Sequence, residues 1–395
     1  MELMELAEKL VGFDTVTRES STMQIADFIS NYLEGAGFKI ERYPYVNETE
    51  GLKKINVIAR KGEGKTKLAL SGHMDTMGHK GNWNDALSAP LELNFRKTND
   101  APNGAYFARG IADMKLFLAI AMKAGEATDA KELKQPFALY FTSDEEVGCL
   151  GARRLIKDAK QLADYIIIGE PTELVPVYAH KGYIYPYIEL LGKTAHSSNP
   201  DNGVSVVPAL MEVLKKVSDF EERLKTINDE MFSPPYPTLN LGVITTNGKY
   251  DLGGKMENVI SSKNNLAGFC QLELEIRTVP DQDAEEIERI FKDLIGSKFG
   301  KVKIRFKKKR KPSPSMKTPI DSPLVRIAQE ITGKTPITAP YNTEGGVFNK
   351  IGAHTIVLGP GRIKQAHTKE EFVEPKFFQP EIVDLYTRII RRLCC

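Results

Sequence analysis

The sequence predicts an α/β protein in which a mixed-sheet main domain is interrupted by an inserted, ferredoxin-like α+β domain of the split-βαβ type. Three observations predict it. Short apolar runs at 67–70, 137–142, 165–168 and 355–358 alternate with helical patterns, and each leads into a loop bearing an acid or a histidine. Between 183 and 307 the pattern changes to the order β-α-β-β-α-β. At 395 residues the chain is long for a single core and suggests two.

Taken in order, residues 2–13 and 23–35 carry apolar positions at helical spacing, and Gly35-Ala36-Gly37 closes the second helix. Strands at 54–60 and 66–70 flank the turn at Gly62-Glu63-Gly64 and deliver His73 and Asp75. These two, two residues apart, face the same way at the carboxyl end of the strand, where open α/β sheets place their ligands. A ligating imidazole needs its other ring nitrogen fixed, and Asp75 is the expected partner. The loop that follows holds the single Trp83, read as a covering aromatic. Residues 114–127 fit a buried helix with Asp113 at its amino end, where an Asp ordinarily caps free N–H groups. Here the chain is also returning to the rim that holds His73.

Run 137–142 is a buried strand ending in Asp144-Glu145-Glu146. Adjacent side chains beyond a strand project to different sides, so Glu145 and Glu146 can take separate roles. A helix at 151–162 and a strand at 165–168 lead to Glu170 and the turn Pro171-Thr172. The inserted domain then has a strand at 183–191, a helix at 204–227, strands at 238–245 and 266–279, a helix at 284–299 and a strand at 301–307. The expected division is 1–181 with 310–395 around 182–309. After the linker Pro312-Ser313-Pro314 come a helix at 322–332, strand-like segments near Ile337 and at 355–358, the loop Gly359-Pro360-Gly361 before His367, and an amphipathic helix at 383–393.

Charged residues make up 27% of the chain and the net charge is only +2, so nothing global points to nucleic acid or an anionic membrane as partner. The basic run 305–311 reads as a solvated strand end and linker. Cys149, Cys270, Cys394 and Cys395 are too few and scattered for a disulfide framework or a Cys-x-x-Cys metal site, and a reducing, cytoplasmic location is the economical expectation. Residues 1–13 lack the apolar core of a signal peptide, and no run is long enough to span a bilayer.

The rim therefore gathers His73, Asp113, Glu145, Glu146, Glu170 and His367, with Asp75 behind His73. Two imidazoles and several carboxylates suit Zn²⁺ or a similar divalent ion. Two ions sharing a bridging carboxylate would use five of these ligands and leave one carboxylate as a base. That is equipment for hydrolysing an amide.

With these stretches in view, SGHMDT at 71–76, ARGIADMK at 108–115, TSDEEVG at 142–148, GEPT at 169–172 and GKTAHSSNP at 192–200, the chain resembles the M20-type co-catalytic metallopeptidases and deacylases. That family includes aminoacylase, glutamate-type carboxypeptidases, succinyl-diaminopimelate desuccinylase and acetylornithine deacetylase. AHKGYI at 179–184, PYPTLNLG at 235–242, NTEGG at 342–346 and VLGPGRIKQAH at 357–367 are similar to the last of these branches. The resemblance implies an aminopeptidase-like catalytic domain with a lid and dimerisation domain inserted. It makes His73 and Glu170 ligands of one ion, Glu146 and His367 of the other, and Asp113 the bridge, with Zn²⁺ as the metal and Co²⁺ as its alternative. Asp75 would orient His73, and Glu145 would carry the proton from water to the leaving amine. It further implies a homodimer in which His196 reaches the partner's site to stabilise an oxyanion, while Arg277 and Asn258 hold a substrate carboxylate.

Thr343, Glu344 and Gly345 are expected on the substrate side, with Glu344 near a cationic side chain such as ornithine's. His79 and His354 read as structural, and His180 as a hinge residue. The function expected is hydrolysis of an N-acyl amino acid, with N-acetyl-L-ornithine the first choice of substrate and acetylcitrulline a related one. The rivals are desuccinylation of succinyl-diaminopimelate, an aminoacylase or dipeptidase reaction, a two-metal phosphoesterase, and a silent metal-binding scaffold. Arg277 on a mobile domain speaks against the phosphoesterase, and Glu145 against the scaffold.

Overall fold

Four parallel strands form the centre of the larger sheet. Leu68–His73 lies between Phe137–Thr142 and Tyr165–Ile168, and Tyr165–Ile168 pairs in turn with His354–Val357. The register sets Leu70 opposite both Leu139 and Ile167, so all four strands end along one edge. They are buried throughout apart from the half-buried Tyr165 and His354, as expected for a sheet covered on both faces. Leu68, Leu70, Leu139 and Ile167 enter a core shared with the helices Leu3–Val11, Met23–Gly35, Leu116–Glu126, Pro323–Thr332 and Pro380–Cys394. On the other side Tyr140 packs against Phe348 of the helix Gly345–Asn349. Five further strands complete a mixed sheet of nine, with Lys39–Val46 at one end, Met316–Lys317 at the other, and Ile337–Ala339 pairing in parallel with Val177–His180.

This is a computed structural model, and it describes residues 1–81, 83–84, 89–246, 249–250, 256–257, 264–307 and 310–395. One unit comprises Met1–His180, Met316–Ala339 and Thr343–Cys395; the other comprises Lys181–Ser315 and Pro340–Asn342. The segment expected to rejoin the main domain at 310 stays with the inserted unit through Ser315, because Ser313 and Tyr183 exchange backbone hydrogen bonds of 2.8 and 2.9 Å.

The inserted unit is an antiparallel sheet in the order Thr238–Thr246, Phe269–Thr278, Tyr187–Leu191, Val302–Lys307 and Lys298–Phe299, with two helices, Val207–Lys225 and Ala284–Ile295. Phe269–Thr278 alternates buried and half-buried positions over most of its length, the pattern of a sheet packed on one face. The strand expected over 183–191 is divided into Gly182–Ile184 and Tyr187–Leu191, since Pro186 has no N–H to give to a ladder. The helix expected to reach 299 stops at Ile295, where Gly296 adopts φ +81 and turns the chain into the strand Lys298–Phe299.

The larger correction lies at 111–115. Instead of a helix beginning at Met114, a π-type turn spans Ile111–Lys115, Asp113 and Met114 leave helical geometry, and the α-helix starts at Leu116. The Asp113–Met114 peptide is cis. A small sheet of Asn94–Arg96, Ala105–Phe107 and Phe372–Val373 joins the chain before this turn to the chain after His367.

Candidate metal centre

All the expected ligands hang from the carboxyl edge of the parallel strands or from loops returning to it. His73 is the last residue of its strand, and it is 1% exposed. Its Nδ1–H donates to the backbone carbonyl of Asp75 at 2.7 Å, so in the neutral ring the lone pair is on Nε2, which faces the cluster. Nε2 lies 2.8 Å from Asp113 Oδ1 and 3.5 Å from Glu170 Oε1. The other oxygen of Asp113, Oδ2, lies 3.0 Å from His367 Nε2, and Glu146 approaches the same nitrogen at 3.0 Å. Asp113 thus meets a different imidazole with each oxygen. Donor atoms of His73, Glu145 and Glu170 form one group within 4.8 Å of one another, and those of His73, Asp113 and Glu146 form a second.

Glu170 reaches the cluster through close backbone packing. A Cβ on Gly359 would stand 2.0 Å from the carbonyl oxygen of Gly169 and 2.4 Å from that of Glu170. Only glycine allows the two loops that carry Glu170 and His367 to touch there.

The electrostatics follow from crowding acids where water is scarce. Burial, then the charge of Asp113, push the Glu170 carboxyl up to about 8. Burial, then Glu170, hold Glu145 well above the ordinary carboxyl range. Burial alone would lower the imidazoles, but hydrogen bonds to Asp113 and Glu146 raise His367 to about 11, and those to Asp113 and Glu170 raise His73 well above its usual value. Burial disfavours a charged Asp113, yet His367 and His73 together hold its carboxyl far below the usual range. Oxygen and imidazole donors with an excess of acid make a set that fits divalent cations.

Asp75 differs from expectation. Its carboxylate lies 3.7 Å from His73 Nδ1 and instead accepts the backbone N–H groups of Glu145 (3.2 Å) and Glu146 (3.3 Å). The carbonyl of Asp75 orients the imidazole, and the side chain of Asp75 braces the two glutamates. Next to them Asp144, at φ +57, forms a fully buried ion pair with Lys54 at 3.1 Å and accepts hydrogen bonds from Asn47 and Tyr45.

Glu344 is a correction. It is 1% exposed, and its two oxygens accept from Ser71 Oγ and Thr142 Oγ1, both at 2.7 Å, beneath the strand ends that carry His73 and Glu145. At 1% exposure the carboxylate is turned away from solvent, where a substrate ammonium would arrive. Thr343 and Gly345 are buried beside it, Thr343 Oγ1 lying 3.1 Å from His180 Nε2. Glu344→Gln is therefore expected to lower stability by about 1–3 kcal/mol, since one of the two buried hydroxyls loses its acceptor. The ratio of kcat/KM for acetylornithine over a neutral acetyl-amino acid should not move. Thermal unfolding beside the two-substrate assay checks this.

His196 and Arg277 belong to the inserted unit. His196 is exposed and its Nδ1 accepts the N–H of Ser198 at 3.2 Å, so the proton sits on Nε2. Arg277 pairs with Glu275 and lies over the Tyr183 ring. Asn258 lies outside the described residues.

Sequence reasoning missed Glu371. Its carboxylate accepts from Arg109 Nη1 (3.0 Å) and from the N–H groups of Gly110 (3.0 Å), Ala112 (2.9 Å) and Asp113 (3.1 Å). The capping expected of Asp113 is performed by Glu371. The available signal was an acid four residues past His367, directly before the apolar pair Phe372-Val373.

The family model described as "Peptidase family M20/M25/M40" matches residues 69–392. An acetylornithine deacetylase of Myxococcus xanthus is 34% identical, over 92% of this chain and 90% of its own length. An M20 family metallo-carboxypeptidase from Sulfolobus solfataricus superposes with a TM-score of 0.71 at 18% identity, covering 100% of this chain and 99% of that one. A dinuclear metal binding peptidase from Bacillus subtilis superposes with a TM-score of 0.63 at 12% identity, over 98% and 96%.

Proposed function

The chain belongs to peptidase family M20/M25/M40 and is a metal-dependent amidohydrolase, and on that premise we propose that it hydrolyses N-acetyl-L-ornithine to ornithine and acetate in the cytoplasm, as a step of arginine biosynthesis. One observation carries the chemistry: the Asp113 carboxylate has one oxygen 2.8 Å from His73 and the other 3.0 Å from His367, the disposition a bridging ligand of a metal pair needs. The choice of substrate is supported by the name of the Myxococcus relative.

His73 and Glu170 would hold one ion, Glu146 and His367 the other, and Asp113 would serve both, with Zn²⁺ as the resident metal and Co²⁺ as a substitute. Such a pair polarises an amide carbonyl and lowers the pKa of a water. Glu145 would take a proton from the attacking water at a carboxylate oxygen and deliver it to the amine nitrogen as the C–N bond breaks and the new C–O bond completes acetate. His196, which the resemblance places in the partner's site, would stabilise the oxyanion, and Arg277 would pair with the α-carboxylate of the substrate. Asp75 keeps Glu145 and Glu146 in their places through their N–H groups.

A homodimer through the inserted unit is supported by its outermost strand, Thr238–Thr246, which among the described residues pairs on one side only and exposes Val243 and Ile244 at 42% and 48%. Among the described residues no helix is long and apolar enough to cross a membrane.

The test is a panel. Apo-protein reconstituted with Zn²⁺ or Co²⁺ is offered acetylornithine, acetylcitrulline, succinyl-diaminopimelate, a neutral acetyl-amino acid and a dipeptide, and released amine is measured. The highest kcat/KM is expected for acetylornithine. Preference for the succinylated substrate or the dipeptide would reassign the substrate, and a fully loaded chain that turned over none of them would favour the scaffold.

A further inference from the structure

Glu371 is 1% exposed and paired with an equally buried Arg109, whose guanidinium also lies over the Trp83 ring at 5.2 Å. It sits four residues past His367, and its carboxylate holds three backbone N–H groups of the turn that presents Asp113. Oε2 takes Gly110, and Oε1 takes Ala112 and Asp113 itself. Its own carbonyl accepts the N–H of Ala108, and the next two residues pair as a strand with Phe107 and Tyr106. One side chain thus clips the loop of His367 to the turn of Asp113, two segments more than 250 residues apart in the sequence. No comparable link runs from Glu371 to His73 or Glu170, which ride on adjacent strands of the main sheet.

We propose that Glu371 is a positioning residue that fixes Asp113 relative to His367, so that the cation position built on those two depends on it more than the position built on His73 and Glu170, which shares Asp113 but keeps two ligands at the ends of adjacent strands of the main sheet. This rests on the metal reading given above. In Glu371→Gln one oxygen becomes an amide NH₂ that confronts backbone N–H groups, donor against donor, and the ion pair with Arg109 is lost. Partners that orient metal ligands typically account for about 10–100-fold in affinity, and a loss of that size is expected at the His367 position, with a smaller one at the position that shares Asp113 with it.

The experiment is stepwise Co²⁺ titration of apo-protein, followed by calorimetry and by the visible spectrum of the bound ion, with His367→Ala as the reference that abolishes the same position. Wild type is expected to take two equivalents. Glu371→Gln should bind one with the smaller loss of affinity, show the spectrum of the ion retained by His367→Ala, and bind the other about 10–100-fold more weakly than wild type. Should Glu371→Gln not fold, Glu371→Asp carries the test. It keeps the charge but, one methylene shorter, cannot reach all its donors, and the same position should weaken selectively. Unchanged affinities, or equal weakening of both positions in a folded variant, overturn the proposal. A wild-type chain that binds fewer than two equivalents overturns the metal reading and the proposal with it.

Discussion

Glu145→Gln is expected to retain both metal equivalents and to lose about 10²–10⁴-fold in kcat, the usual contribution of a general base. The two glutamates of the 145–146 pair are held alike through the backbone by Asp75 but point to different neighbours. The carboxylate of Glu146 lies 3.0 Å from His367, whereas that of Glu145 accepts a weak hydrogen bond from Cys149 Sγ at 3.4 Å and falls in the group with His73 and Glu170. Glutamine keeps the shape of Glu145 and removes its capacity to take a proton. Metal analysis alongside steady-state kinetics reads both quantities. The paired variant Glu146→Gln should instead lose an equivalent of metal. If Glu145→Gln shed metal as readily as Glu146→Gln, the roles of the pair would have to be exchanged.

Lys54→Met should destabilise the catalytic unit by about 3–5 kcal/mol, the cost of leaving a buried charge without its partner. Lys54 and Asp144 are both fully buried, 3.1 Å apart, and Lys54 also donates to the carbonyl of Ser20. Asp144 would keep only Asn47 and Tyr45. The loop it begins carries Glu145 and Glu146, so lost stability should come with weakened metal retention. Urea unfolding followed through Trp83, the single tryptophan of the sequence and a residue of this unit, measures the effect. The double variant Lys54→Met/Asp144→Asn should recover most of the loss, because it replaces the orphaned charge with a neutral amide that still meets Asn47 and Tyr45. A single variant within 1 kcal/mol of wild type would mean that the pair is solvated.

The parts of the molecule legible in the sequence are those whose cause is local. Apolar runs at 137–142 and 165–168 coincide with the observed strands because β-rich segments buried on both faces leave continuous hydrophobic signatures. The split-βαβ order of the inserted unit was legible for the same reason. The strand Val177–His180, the small sheet around Phe107 and the short helix Gly345–Asn349 were not, since each is brief and held by distant partners. The turn at Ile111–Lys115 defeated a helical reading because its shape serves Asp113 and Glu371, not local propensity.

By itself the sequence determined that strands ending in acids and histidines would lie side by side, and hence that His73, Glu145, Glu146 and Glu170 would share a rim; strand period and burial are properties of a few consecutive residues. Only the tertiary structure decided which groups serve the rim and which lie under it. Glu371 rather than Asp113 caps the turn, the carbonyl rather than the carboxylate of Asp75 orients His73, and Glu344 is spent on Ser71 and Thr142. The physical reason is that a buried hydrogen-bonding group takes whatever partner the fold brings within reach, and for Glu371 and Glu344 those partners stand at least 258 and 202 residues away along the chain.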